Sequence, residues 1–524
     1  MTIITTSLAS AVRQAWKRPL VLPLGLAALL CAPAAHADWK FVPTLDLRET
    51  YSDNVALRGA GEEKSQFVTE ITPGFRLHHL GPRLTLNAEY QLQYFAPLDH
   101  EVSGTNRSAR HLHADAKAKL IPDLLFVDAF AAKAQQNVSP FGQVNTDNNY
   151  ASANQTEVTS WRISPYMKHR FGSTATTEVR YTHDSVDAGR SGLGNSSGNS
   201  LLLKADSGPG FRTIGWGVQA SEQKIHDRLA NDSTVEMANA NLRYKVLPTL
   251  NLTAGLNYDN YDYQALGGAN GGKGWNAGFT WTPSLRTSLT TSLGHRYYGP
   301  SRMLTGMHRS RHTVWSLNYD DSVTSTRANF LLPATVDTAA LLDALFQANY
   351  PDPVERARAV QDYIRNAGLP PSLANNVNYF SNRYSLQKQL RGSVMFREGR
   401  TGAIFSIYRV TRDALSIRET DSPLLGNNLN TINDNTRQQG FNVSWDYKLT
   451  ARTNLNLISD IIDNESLSTG NKSRSSAVRF AARHQLRAKL AASLELRHVK
   501  GNTSLLGGRP YTENAVAASI NMQL

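Results

Sequence analysis

The sequence has little of what most soluble and helical membrane proteins are built from. It contains one cysteine, Cys31, in 524 residues, and no stretch approaches the ~18 consecutive apolar residues of a membrane-spanning helix. Hydrophobic residues make up only 40% and the mean hydropathy is −0.39. A helical membrane protein is therefore excluded. The texture from Trp39 to Leu524 is uniform apart from one insert, without the Pro/Gly-rich linkers and composition shifts that separate soluble domains. The formal charge is +12, yet the basic residues are scattered along the chain rather than gathered in a tail or helix. That argues against nucleic acid as a partner.

The first 37 residues read as a secretory leader. Arg13, Lys17 and Arg18 form a basic start, Leu20 to Cys31 a short apolar core, and Ala35-His36-Ala37 an A-x-A cleavage site. Lipoprotein processing at Cys31 is disfavoured, because Leu30 precedes it where a small residue is needed. Cleavage after Ala37 removes the only cysteine, so the mature chain has neither disulfide nor thiol chemistry.

What is present is a period of two. From Leu84 the chain places Leu84, Leu86, Ala88, Tyr90, Leu92 and Tyr94 on one side. Arg83, Thr85, Asn87, Glu89, Gln91 and Gln93 fall on the other. Side chains alternate across a strand, so this is a ribbon with one apolar and one polar face. Phe67, Ile71, Phe75 and Leu77 repeat the pattern before it, and Leu80-Gly81-Pro82 supplies the turn. Each arm has about ten residues or more, the length of a membrane-spanning strand. The hairpin recurs through the chain. Short turns at Ile121 to Asp123, Phe171 to Ser173, Leu247 to Thr249, Thr282 to Ser284, Glu398 to Arg400 and Leu449 to Arg452 alternate with long Gly/Asn/Ser/Asp-rich loops.

That asymmetry predicts an all-β fold: a transmembrane antiparallel outer-membrane barrel of about 22 strands, within 20–24, with turns in the periplasm and loops outside. Thr324 to Leu331 is the weakest strand candidate. Tyr258, Tyr261, Tyr263, Tyr297, Tyr298, Trp315, Tyr319, Trp445 and Tyr447 sit where interfacial girdles are expected. The last strand alternates through Val516, Ala518, Ile520 and Met522 to Leu524, where barrels of this kind commonly end on an aromatic.

One segment has helical spacing instead. Leu341, Leu342, Leu345 and Phe346 form one apolar stripe behind Asp337, and Ala357, Val360 and Ile364 a second behind Asp352-Pro353. Turns read at Asp320 to Val323 and Glu398 to Arg400 place this two-helix insert, residues 332–378, in an extracellular loop. It is expected either to pack on itself or to serve as a lid or plug.

Three stretches resemble a known family: PTLDLRETYSDNVAL (Pro43 to Leu57), the insert from Val336 to Leu373, and VNYFSNRYSLQKQLRGSV (Val377 to Val394). Together they are similar to the outer-membrane barrel family associated with PEP-CTERM/exosortase systems of bacteria that make exopolysaccharide. The resemblance implies an outer-membrane location linked to exopolysaccharide biology, and it carries no site residues.

The polar face supplies the candidate site. Near the midplane a lipid-facing Arg or Lys costs roughly 2–4 kcal/mol, so the basic residues on the strands must line the lumen. The lumen-lining candidates are Arg83, Glu89, Lys117, Arg162, Lys168, Arg243, Lys245, Arg383, Arg391, Arg479 and Arg483. They either pair with acids such as Asp115, Asp128, Asp446 and Glu495 or form a cationic path for anionic solute. His111 and His113 share a face with Asp115, a pattern that fits lumen hydrogen bonding better than a metal site. No catalytic motif stands out, and no cofactor, metal or enzymatic activity is expected; Gly267-Gly268 lacks the strand-to-helix context of a phosphate cradle.

The expected function is a channel or export conduit associated with exopolysaccharide secretion. Its partners are outer-membrane lipid, an anionic polysaccharide and periplasmic export machinery. The alternative is a non-conducting structural or surface-binding barrel of the envelope, with an outer-membrane enzyme last. A nutrient receptor with an N-terminal plug is disfavoured, since the first strand follows the leader directly.

Overall fold

A computed structural model describes residues 39–97, 106–143, 154–188, 195–228, 231–331 without 264 and 268, 383–417, 435–503 and 509–524. Within the insert it describes 342–347, 350, 356, 359, 360, 363 and 364. The leader and its cleavage site after Ala37 lie outside the described residues, as do Asp337 and Asp352-Pro353.

The strands are β1 (Trp39–Ser52), β2 (Gln66–Leu80), β3 (Leu84–Pro97), β4 (Ser108–Ile121), β5 (Leu125–Asn137) and β6 (Gln155–Phe171). Next come β7 (Ala175–Asp187), β8 (Ser196–Ser207), β9 (Ile214–Asp227), β10 (Ser233–Leu247) and β11 (Leu250–Tyr261). β12 (Gly271–Ser284), β13 (Thr287–Arg296), β14 (Gly299–Arg309) and β15 (Thr313–Ser325) precede a short helix, α1 (Thr326–Leu331). β16 (Tyr384–Glu398), β17 (Thr401–Ala414), β18 (Thr436–Lys448) and β19 (Thr453–Ser466) follow. β20 (Lys472–Arg487), β21 (Leu490–Asn502) and β22 (Pro510–Gln523) finish the circuit.

All 22 strands form one antiparallel sheet, and β22 pairs with β1 from Thr44↔Gln523 to Ser52↔Ala515. The sheet is a closed barrel, which leaves no unpaired edge. Both ends of the circuit, Trp39 and Gln523, lie at the short-turn end. The expected asymmetry holds at most connections, but β13 and β14 are joined at the long-loop end by Tyr297 and Tyr298 alone, and the β8–β9 turn at the short-turn end runs over residues 208–213.

The period of two explains the wall. In β1 to β3, Phe41, Leu47, Phe67, Ile71 and Tyr94 point outward and remain exposed, while Thr50, Ser52, Gln66 and Thr72 point inward and are buried. Leu256 and Leu293 are 69% and 59% exposed on the same outer face. Large apolar side chains over the outside of a closed barrel require a bilayer around it. Trp39, Phe41, Trp281 and Trp315 mark the short-turn rim of this band, and Tyr51, Phe67 and Tyr94 the long-loop rim.

Three local expectations are corrected. Asp320 to Val323 is not a turn but the upper part of β15, and the turn before it is at residues 310–312. Thr324 to Leu331 does not continue as a wall strand: β15 stops at Ser325 and α1 turns into the barrel. Tyr261, Tyr263 and Tyr297 are not girdle residues, because Tyr261 packs 5.9 Å and 5.6 Å from the other two rings and Tyr263 stacks on Tyr384 at 5.1 Å.

Candidate functional site: the occupied bore

The inner face is polar by alternation, and ten of the eleven candidates fall on it. The exception is Arg83, which has the right parity but sits beyond the strand in the exposed β2–β3 turn. Glu89 lies 3.9 Å from Arg76 and accepts from Gln91 at 3.1 Å. Lys117 sits opposite Asp128, and Lys168 opposite Glu178. Arg162 lies over the Phe130 ring at 5.8 Å. Arg243 and Lys245 face inward on β10, and Arg243 lies across Gly215. Arg383 precedes β16 and is buried, Arg391 follows on the same face, Arg479 sits opposite Arg497, and Arg483 donates to Asn521 at 3.2 Å. The candidates thus circle the bore rather than gather at one point.

Several close inner ion pairs involve other arginines. Arg48 meets Glu495 at 2.7 Å, Arg180 meets Asp128 and Glu178 at 2.9 and 2.8 Å, and Arg296 meets Asp259 at 3.1 Å. At the closing seam Arg497 pairs with the fully buried Glu513 at 2.9 Å, and Ser52 donates to the same carboxylate at 2.7 Å. None of these arginines is among the candidates, and only the strand register assigns their partners. His113 lies 3.7 Å from Asp115 and edge-on to Phe130. Among the described residues no group of three His, Cys, Asp or Glu is placed to hold a metal.

At the long-loop end three segments reach inward. The turn after β1 is built by Asn54, which donates to Arg58 O and Thr512 O and accepts from Arg58 N. It drives Leu57, at φ 52°, onto Ala477, Val499 and Tyr511. The segment after β5 buries Phe141, and Pro140 O accepts from Asn464 and Ser473 on the other side of the β1–β22 seam, at 2.8 and 3.1 Å. Helix α1 crosses from β15 to β6–β8, where Arg327 pairs with Asp184 and bonds Ser196 at 2.8 Å. Phe330 and Leu331 pack there on Val158 and Val186.

The insert continues from α1 and rejoins the wall at β16, both at the long-loop end. Its described residues 342–346, 356, 359, 360, 363 and 364 are helical, in line with the two apolar stripes. They do not remain among the extracellular loops. Leu342, Phe346 and Val360 pack on the inward-facing Val314, Met395 and Ile404, beside the short turns at the opposite end of the bore. An amphipathic helix buries its stripe wherever an apolar surface faces it. Here both faces of the wall are apolar, since Val314, Met395 and Ile404 alternate with the lipid-facing Trp315, Val394 and Phe405. Those double-sided runs were the available sequence signal.

Apolar burial and polar contacts divide the work of seating the insert. Burying Leu342, Phe346 and Val360 contributes about 1.5–3 kcal/mol per side chain, more than a neutral hydrogen bond and comparable to one made to a charged group. The polar contacts fix the position. Arg309 donates to Ala344 O and to Gln347 at 3.2 and 2.8 Å, and Arg397 lies 4.8 Å from both the Phe346 and Tyr363 rings. The Tyr363 hydroxyl donates to Asp446. Burial, and then the Asp446 charge, push this phenol well above the ordinary tyrosine range, so it stays a donor. Gly402 lies beneath this pair, where a Cβ would overlap both oxygens.

A closed 22-stranded wall with a lipid-facing apolar band and a polar bore defines the class: the chain is an outer-membrane β-barrel. No family model matches the chain, and no curated protein matches it. Among solved structures it is similar to the siderophore receptor PirA from Pseudomonas aeruginosa, with 10% identity over 93% of this chain and 80% of that one, at a TM-score of 0.44. It is similar also to the FrpB iron transporter from Neisseria meningitidis, with 9% identity over 92% and 81% of the two chains, at a TM-score of 0.47.

Proposed function

We propose that the chain is a gated outer-membrane conduit whose own insert is the gate, and that it passes an anionic polymer. The observation that carries this reading is the placement of Leu342, Phe346 and Val360 inside the bore at the short-turn end, on an apolar patch of the inner wall. A structural barrel has no need of a segment tethered at one end and seated at the other. The inward cations Arg162, Arg243, Lys245, Arg391, Arg479 and Arg483 favour an anionic cargo. The resemblance of Pro43 to Leu57 and of the insert to exosortase-associated barrels makes exopolysaccharide the substrate class, delivered by periplasmic machinery.

A second reading, a non-conducting surface-binding barrel, draws on the packing of Leu57 and Phe141 at the other mouth. Single-channel recording in planar bilayers separates the two. The conduit reading expects low conductance from the intact protein and steady, anion-selective conductance once residues 336–373 are deleted. Silence after deletion ends the conduit reading. Removal of the gene, with polymer then found in the periplasm and not in the medium, tests the substrate class.

A further inference from the structure

The outer face carries a second feature that the bore does not use. Antiparallel partners share a face, so the register places residues of β16 to β21 on the lipid side, row by row. One row near the long loops runs Leu390–Arg409–Gln439–Asp463–Arg474. The row above it runs Lys388–Thr411–Arg437–Glu465–Lys472, and Lys500 on β21 faces the same way. Six cations therefore stand against three acids on these strands, Asp463, Glu465 and Asp413, which pairs with Lys388 at 2.9 Å, and a fourth acid, Asp321 on the neighbouring β15, also faces Lys388. Glu465 meets Arg437 at 3.2 Å and Lys472 at 3.5 Å, and Asp463 meets Arg474 at 3.3 Å. Lys472 and Arg474 extend past their partners, 74% and 67% exposed against 30% and 39% for Glu465 and Asp463. A cleft of about 340 Å³ opens among them, lined by Arg437, Gln439, Asp463, Glu465, Lys472 and Arg474.

The next row toward the midplane includes Ile407 and Phe441, both exposed. The cations thus begin where the apolar band ends, at headgroup depth. On β5–β6 and on β9–β12 the outward charges near the long loops are balanced. Lys133 pairs with Glu157 at 2.8 Å, and on β9–β12 Glu222 and Glu236 match Lys224 and Lys273. A surplus of cations at headgroup depth on one flank attracts anionic lipid.

The geometry points to a binding site for phosphate-bearing glycolipid headgroups of the outer leaflet on the outer face of β16–β21, formed by Arg409, Arg437, Lys472, Arg474 and their neighbours. The side chains project to solvent depth above an apolar wall, so acyl chains lie along Ile407 and Phe441 while the phosphates meet the guanidinium and ammonium groups. This site is independent of the bore and of what passes through it.

The test uses the full-length protein, delipidated in a nonionic detergent and titrated with bis-phosphorylated lipid A or its dephosphorylated form, with bound lipid read by native mass spectrometry. The expected result is preference for the phosphorylated form, and at least tenfold weaker binding of it by the quadruple variant R409Q/R437Q/K472Q/R474Q. The rim variant K224Q/K273Q stays within twofold of wild type. Gel mobility before and after boiling reports folding, and the single variant Arg474→Glu carries the test if the quadruple does not fold. Equal binding of the two lipids, undiminished binding by the variants, or displacement of the lipid by millimolar inorganic phosphate overturns the assignment.

Discussion

Gly402 sits under the Tyr363 hydroxyl and the Asp446 carboxylate with no room for a β-carbon. The position is diagnostic because a side chain there acts on the insert from the wall. Gly402→Val should displace Tyr363 and raise single-channel conductance without altering the unboiled mobility of the barrel. Tyr363→Phe is gentler. It keeps the ring against Arg397 and removes only a hydrogen bond to a charged group, worth about 1.5–3 kcal/mol net, so brief openings should become roughly ten- to a hundredfold more frequent. Unchanged gating in both variants sinks the role given to this contact. At the seam, Glu513→Ala leaves Arg497 buried without its closest partner, a change that costs about 3–5 kcal/mol. Thermal unfolding should shift downward, and a Glu513→Gln variant should recover part of the loss.

At the scale of elements, the strands were the legible part. A period of two is a local property, so Leu84 to Tyr94 displayed both its faces before any partner was known, and the count of 22 followed from the turns. The destination of the insert was not legible in the same way. Its two stripes are local, but the surface they cover is assembled from Val314, Met395 and Ile404, brought together only when β15, β16 and β17 pair. The reading of Asp320 to Val323 as a turn failed for a related reason: polar residues that point into a bore look like turn residues in a sequence. The inward positions of the cations were readable, whereas their partners were not, because Arg48 and Glu495 meet only through closure of β1 on β22. If the apolar seat holds the insert, Ile404→Asp should release it without altering the insert itself. Conductance should then approach that of the deletion; a variant that stays closed contradicts the assignment of the seat.

For the whole molecule, charge and mechanics separate by face. The bore carries cations on most sides, the outer rim carries its surplus on one flank, and the apolar band lies between. Salt should therefore weaken anion selectivity more than it weakens insertion in the bilayer, since exposed charge interactions fall off over a Debye length of roughly 8 Å at 0.15 M while apolar burial does not. Reversal potentials measured at two salt concentrations check this.

The insert hangs from the long-loop end and rests at the short-turn end, and that layout makes the two directions of transit unequal. A body arriving from the periplasmic side pushes the resting segment back toward its two attachment points. A body arriving from outside pushes it the other way, further from those points and toward the short turns beside its seat. On the gated-conduit reading, a strap fixed in this way should act as a check valve with outward flow as its free direction. Current should rectify accordingly in an oriented bilayer, and an equal response to either polarity rules the valve out.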